Sequence, residues 1–150
     1  MLNAHDIMTR DIVTVSPDTE IVQAAKLLLD NHLNGLPVVD DADQLVGILC
    51  QEDLIVQQKR IPLPSFFTLL DGLIPLKSQK SIEREIEKIA AATVEKAMSK
   101  NPMTVDPRTS LEDIATLMVT HNIHTLPVID GGKLVGIVGK EDILRTLMPR

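Results

Sequence analysis

The phrase LPVVDDADQLVGILCQED, Leu36 to Asp53, returns as LPVIDGGKLVGIVGKED, Leu126 to Asp142. Sliding the chain over itself by 90 residues also lays VTVSPDT (13–19) on MTVDPRT (103–109) and HDIMTRD (5–11) on EKAMSKN (95–101). The offset falls to 89 across a turn, where Asp41 to Gln44 faces Gly131 to Lys133. Shared secondary structure does not produce that many identical positions in one order. The chain is an internal duplication. Two copies are too few for a solenoid, which leaves a pseudo-twofold pair.

Each copy reads alike. Val13 to Val15 is a short extended piece ended by Ser16-Pro17-Asp18. Thr19 is the expected helix cap, Glu20 stands in the first turn, and Ile21, Ala24, Ala25 and Leu28 recur at helical spacing. Leu36 to Val39 is β-prone, Asp40 to Asp43 is a turn, and Leu45 to Leu49 is the apolar run of a strand covered on both faces. Gln51-Glu52-Asp53 opens a second helix, with negative charge where the helix dipole favours it. Copy two repeats this around a Gly131-Gly132 hairpin turn. The predicted class is mixed α/β (α+β): two β-α-β-β-α repeats, each too small to be stable alone, packed as one module.

The expected boundaries are repeat 1 over 1–58, a helical insert over 59–92 and repeat 2 over 93–150. Within the insert, Phe66, Leu69, Leu70 and Leu73 form one apolar stripe, and Ile82, Ile86 and Ile89 form another. Those faces pack on their own chain or form a subunit contact.

The 150 residues carry a net charge of −6, against the basic stripe a nucleic-acid binder needs and against an anionic membrane surface. The apolar stretch Phe66–Leu76 is far too short to span a bilayer. Phe66 and Phe67 are the only aromatic residues, so the core must be aliphatic and base stacking on rings is scarcely available. One cysteine, Cys50, excludes an internal disulfide and fits a reducing, cytoplasmic setting. There is no nucleophile elbow, phosphate-binding loop or zinc-ligand cluster, so no enzyme activity is expected. Cys50 stands at a strand-to-helix corner, where a helix N-terminus could lower its pKa. His121 and His124 lack a third ligand nearby, and no metal site is expected.

The ordered set DIMT (6–9), VTVSPDT, NGLPVVD and VGILCQEDL, with its second-copy counterparts, resembles the tandem cystathionine-β-synthase (CBS) domain pair. The resemblance implies two clefts related by the pseudo-twofold, binding AMP, ADP, ATP or S-adenosylmethionine. It assigns Asp53 and Asp142 to ribose hydroxyls, since a carboxylate accepts hydrogen bonds from both. The competing reading of each Asp is a helix-capping acid, although the Ser/Thr partner is replaced by Cys50 and Gly139. The resemblance further nominates Val13, Thr14, Leu36 and Pro37 for one adenine pocket, and Met103, Thr104, Leu126 and Pro127 for the other. Asn34 and His124 are the phosphate candidates.

The function so implied is a regulatory module that senses an adenosine-containing ligand, forms a homodimer and signals to a regulated protein of unknown identity. Two alternatives stand beside it. One is a ligand-free interaction module using the insert. The other is a divalent-cation sensor using Asp40, Asp41 and Asp43.

Overall fold

The computed structural model describes residues 1–60 and 92–149. The expected insert, with Phe66, Phe67 and both apolar stripes, lies outside the described residues apart from its first two positions and its last. Copy one contains α1 (Ala4–Ile7), α2 (Ile21–Asp30), β1 (Gly35–Val39), β2 (Leu45–Cys50) and α3 (Gln51–Arg60). Copy two contains α4 (Val94–Ala97), β3 (Ser99–Lys100), α5 (Leu111–His121), β4 (Thr125–Asp130), β5 (Lys133–Gly139) and α6 (Lys140–Arg145).

The expected first strand shrinks to a single bridge in each copy. The Val15 N–H donates to the Pro37 carbonyl at 3.1 Å, and the Val39 N–H donates to the Val15 carbonyl at 2.9 Å. Val105 does the same between Pro127 and Ile129. β1–β2 and β4–β5 are antiparallel hairpins whose registers slip at matching places, Val38/Val39 and Val128/Ile129. Gly131 and Gly132 turn the second hairpin at φ +56° and +82°, a conformation open to glycine. Asp40 turns the first, its Oδ1 accepting the N–H groups of Ala42 and Gln44 at 2.9 Å each.

Thr19 is not the cap the sequence suggests. Its Oγ1 accepts the Ser16 N–H at 3.0 Å, closing the Ser-Pro-Asp-Thr turn, and Glu20 takes the cap position of α2 without a side-chain bond. In copy two the division of labour is visible. Thr109 closes the turn on Asp106, and Ser110 caps α5 by accepting the Asp113 N–H at 3.1 Å. Turn closure and capping are different jobs for neighbouring hydroxyls.

The two halves exchange their leading segments. Ala4, from the first copy, is fully buried among Val105, Ile114 and Leu126 of the second. Its N–H donates to the Thr109 carbonyl at 2.8 Å. Val94 is fully buried among Val15, Leu28 and Leu49 of the first, and its N–H donates to the Thr19 carbonyl at 2.8 Å. The segments then run on as strand edges: Thr9 pairs with Ile137, and Ser99–Lys100 pairs with Gly47–Ile48. Glycine leaves room for both crossings, and at Gly47 a backbone oxygen makes it a requirement. A Cβ at Gly47 would lie 2.7 Å from the Met98 sulfur and 2.9 Å from the Ser99 carbonyl oxygen, and one at Gly136 would run into Met8. The expected repeats are contiguous in sequence but interlocked in space.

Candidate functional site

A cleft of about 440 Å³ opens between the halves, within the size range of small-molecule sites. Copy one contributes Thr9, Asp11 to Val13 and Asn31 to Gly35; copy two contributes Thr125, Gly139, Glu141, Asp142 and Arg145. Asp142 is the buried charge of this cleft, only 7% exposed. The start of α6 places it there, three residues past Gly139, so that Oδ2 accepts the Gly139 N–H at 2.8 Å. This is the surviving half of a capping box, since glycine has no side chain to return the bond. Oδ1 accepts two further bonds, from Thr9 Oγ1 at 3.1 Å and Arg145 Nη1 at 2.8 Å. The carboxylate thus ties together the crossing segment, the helix start and a guanidinium that is itself 67% exposed.

Asp53 is the counterpart in copy one. Its Oδ2 accepts the Cys50 N–H at 2.8 Å. Burial raises its pKa, the Cys50 N–H opposes that shift, and the neighbouring Glu52 adds to it. Arg145 has no equivalent here, because the aligned position is Val56. The two copies therefore share a carboxylate and differ in what surrounds it.

Cys50 corrects an expectation. Its thiol is not activated: burial pushes it from 9.0 up to about 12, and the carboxylates of Asp53 and Glu52 push in the same direction. The sulfur lies against the place where a Gly35 side chain would be, together with Thr125. At pH 8 only about one thiol in ten thousand is ionised, so an alkylating reagent should label the folded protein at least about a hundredfold more slowly than an unfolded control. Equal rates would refute this burial. The sign for stability follows: between about pH 9 and 12 the unfolded chain has released a proton that the folded chain keeps, so this group lowers stability as pH rises through that window.

The remaining candidates scatter. Val13 and Asn34 share the 440 Å³ cleft with Asp142. Leu36, Pro37, Leu126 and Pro127, the residues nominated for the adenine pockets, are all fully buried. The small residues just before them, Gly35 and Thr125, reach the cleft instead. The strand alternation that sends Leu36 inward was legible; that its neighbour would face a ligand space was not. Thr14 lines a separate groove of about 520 Å³ and Thr104 another of about 680 Å³, while Met103 packs partly buried against the second core. Asn34 and His124 share a structural task, their carbonyls accepting the first N–H groups of α3 and α6 at 3.1 Å. Thr9 and Arg145 were missed. Arg145 had a readable signal, lying three residues after Asp142 on one helix face. Thr9 had none, because its contact depends on the exchange.

Residues 4–59 and 94–149 each match the family model for the CBS domain. The chain belongs to the CBS domain family. A relative from Methanocaldococcus jannaschii, the protein MJ1426, is 32% identical over a 153-position alignment that covers 95% of this chain and 89% of that one. The homoserine O-acetyltransferase of Methanosalsum zhilinae is 33% identical over the same share of this chain, which spans only 23% of the enzyme. The matched region is thus most of one relative and under a quarter of the other. Among solved CBS structures, that of CBSX2 in complex with AMP superposes with a TM-score of 0.72 at 28% identity, covering 98% of this chain and 96% of that one. The CBS pair of protein MJ0100, in complex with 5′-methylthioadenosine and S-adenosyl-L-methionine, gives 0.69 at 26% identity with the same coverage. Among the described residues no helix is long and apolar enough to cross a membrane.

Proposed function

We propose that this CBS pair senses an adenosine-containing ligand, one of AMP, ADP, ATP or S-adenosylmethionine, and passes its occupancy to a regulated partner protein. One observation carries the reading: a buried carboxylate, Asp142, faces a cleft to which both copies contribute. A carboxylate can accept both hydroxyls of a ribose, and the Val13 backbone across the cleft offers the donor and acceptor that an adenine edge needs. Because the ligand would touch both halves, it would favour one relative arrangement of them, and that differential affinity is what a partner reads. Asp53 holds the equivalent place in copy one, where ribose donors would relieve a carboxylate that burial disfavours. The AMP and S-adenosylmethionine complexes of the similar CBS pairs support the ligand class. The net charge and single cysteine fit a cytoplasmic setting.

The test is calorimetric titration of AMP and S-adenosylmethionine into the wild-type protein and the Asp142→Asn variant. Saturable binding that the variant loses supports the reading. Absence of binding by every adenosine compound sinks it in favour of an interaction module.

A homodimer has its own support. Ile55 and Val56 on α3, and Leu144, Leu147 and Met148 on and after α6, are apolar and about half exposed or more. Ile55 and Leu144 hold the same place in the two copies, and exposed apolar residues of this kind mark contacts. Light scattering should give twice the chain mass for the wild type, and the Leu144→Ser/Leu147→Ser double variant should shift towards the monomer. A wild-type monomer at micromolar concentration would refute this interface.

A further inference from the structure

We infer that Arg145 is the residue that selects the ligand's 5′ end, exchanging its bond to Asp142 for one to an anionic group there. The inference rests on the adenosine-sensing reading above and deepens it. It starts from the hydrogen-bond capacity of one carboxylate. Asp142 has about four lone-pair sites. Three are occupied by Thr9 Oγ1, Gly139 N–H and Arg145 Nη1. A ribose diol brings two donors, so one resident must leave.

Which one leaves is decided by anchorage. Gly139 N–H belongs to the backbone at the end of β5, and the Thr9 hydroxyl sits on a short side chain whose backbone is bonded to Ile137 in both directions, at 2.8 and 2.9 Å, so it can turn but stays beside Asp142. Arg145 is held only through its side chain, by the bond to Asp142 and a looser 3.7 Å approach to Glu141. It is also two-thirds exposed, so its guanidinium can swing without disturbing the core.

Once displaced, the guanidinium still lines the cleft and needs a new partner. Adenosine offers none, so binding it costs the Arg145–Asp142 bond. A 5′ phosphate or carboxylate offers a bidentate acceptor, and the exchange is recovered. Among the described residues Arg145 is the only Arg or Lys lining this cleft, where Asp11 and Glu141 carry negative charge beside Asp142. One anionic group is therefore matched and further phosphates meet carboxylates. The selected ligand is an adenosine bearing a single anionic group at its 5′ end, ahead of neutral nucleosides and of ATP.

Two matched pairs of ligands separate the sources of that anion. AMP against adenosine tests a phosphate; S-adenosylmethionine against 5′-methylthioadenosine tests a carboxylate that arrives with an ammonium and a sulfonium, and the share of the preference that Arg145→Gln removes is the carboxylate's. Wild-type protein should bind the member that bears the 5′ anionic group, AMP or S-adenosylmethionine, about tenfold to a hundredfold more tightly in at least one pair, the worth of a charge-assisted hydrogen bond. Arg145→Gln should bring that pair within about threefold and bind the neutral member at least as tightly as wild type does, because nothing must now be displaced. Arg145→Lys should keep part of the preference. Equal binding of both members by wild type overturns the inference, whatever the variants do. So does an Arg145→Gln protein that keeps the full preference. If wild type binds none of the four, the failure belongs to the adenosine reading itself and the selector goes with it.

Discussion

Saturating AMP or S-adenosylmethionine should raise the unfolding midpoint of the wild-type protein by about 5–10 °C. At 100 times Kd, a ligand confined to the folded state contributes about 2.7 kcal/mol. For a chain of this length each kcal/mol is worth about 2–4 °C. Asp142→Asn should lose that shift, since it keeps the shape of the side chain but replaces one acceptor oxygen with a donor. Asp142→Ala should lose it too, from a lower starting midpoint, because Thr9 Oγ1, Gly139 N–H and Arg145 Nη1 would all be left without their acceptor. Differential scanning fluorimetry with each compound reads both quantities. A full shift in Asp142→Asn would remove Asp142 from the ribose, and no shift in wild type with any adenosine compound would remove the sensor.

The second large effect is structural and non-local in sequence. Ala4→Asp should destabilise the protein by about 3–5 kcal/mol, the cost of an uncompensated buried charge. That is a substantial fraction of the roughly 5–15 kcal/mol that holds a domain together. Ala4 is fully buried, yet its neighbours are Val105, Ile114, Leu126 and Val128, about a hundred residues away. A milder change, Ala4→Ser, should therefore perturb methyl resonances of Ile114 and Leu126 while leaving Leu28 and Leu49 in place. Val94→Ser should do the reverse, because Val94 lies in the other core. Urea denaturation reads the first effect and methyl spectra read the second. Perturbations confined to each residue's own copy would disprove the exchange.

The β-α-β-β-α order was legible because duplication doubles every signal: Leu36 and Leu126 sit at the same point of the same phrase, and both are fully buried. The carboxylate positions were legible for the same reason. What was lost is whatever depends on one half meeting the other. Thr9 reads as a polar residue after a short helix, and only the crossing of its segment onto β5 brings it to Asp142. For Cys50 the helix start that could lower its pKa is visible in sequence, whereas the burial and the two carboxylates that raise it are three-dimensional. Leu36 and Pro37 are nominated by their place in the motif, yet the residues that line the cleft are the less conspicuous Gly35, through its backbone, and Thr125. Local pattern reports periodicity; a site between two bodies is set by their docking.

The crossed leading segments also say something about ancestry. Each half carries the piece that finishes its twin, and the two pieces occupy the same place 90 positions apart. Two separate half-length polypeptides, each lending its own first turn to the other, would form the same body by domain swapping. Fusion of such a pair into one gene would create no new contact. It would replace an encounter in solution with a tether, raising the effective concentration of each half for the other. The tether would also release the copies from identity, and the mismatch of Arg145 with Val56 is what that freedom looks like after use.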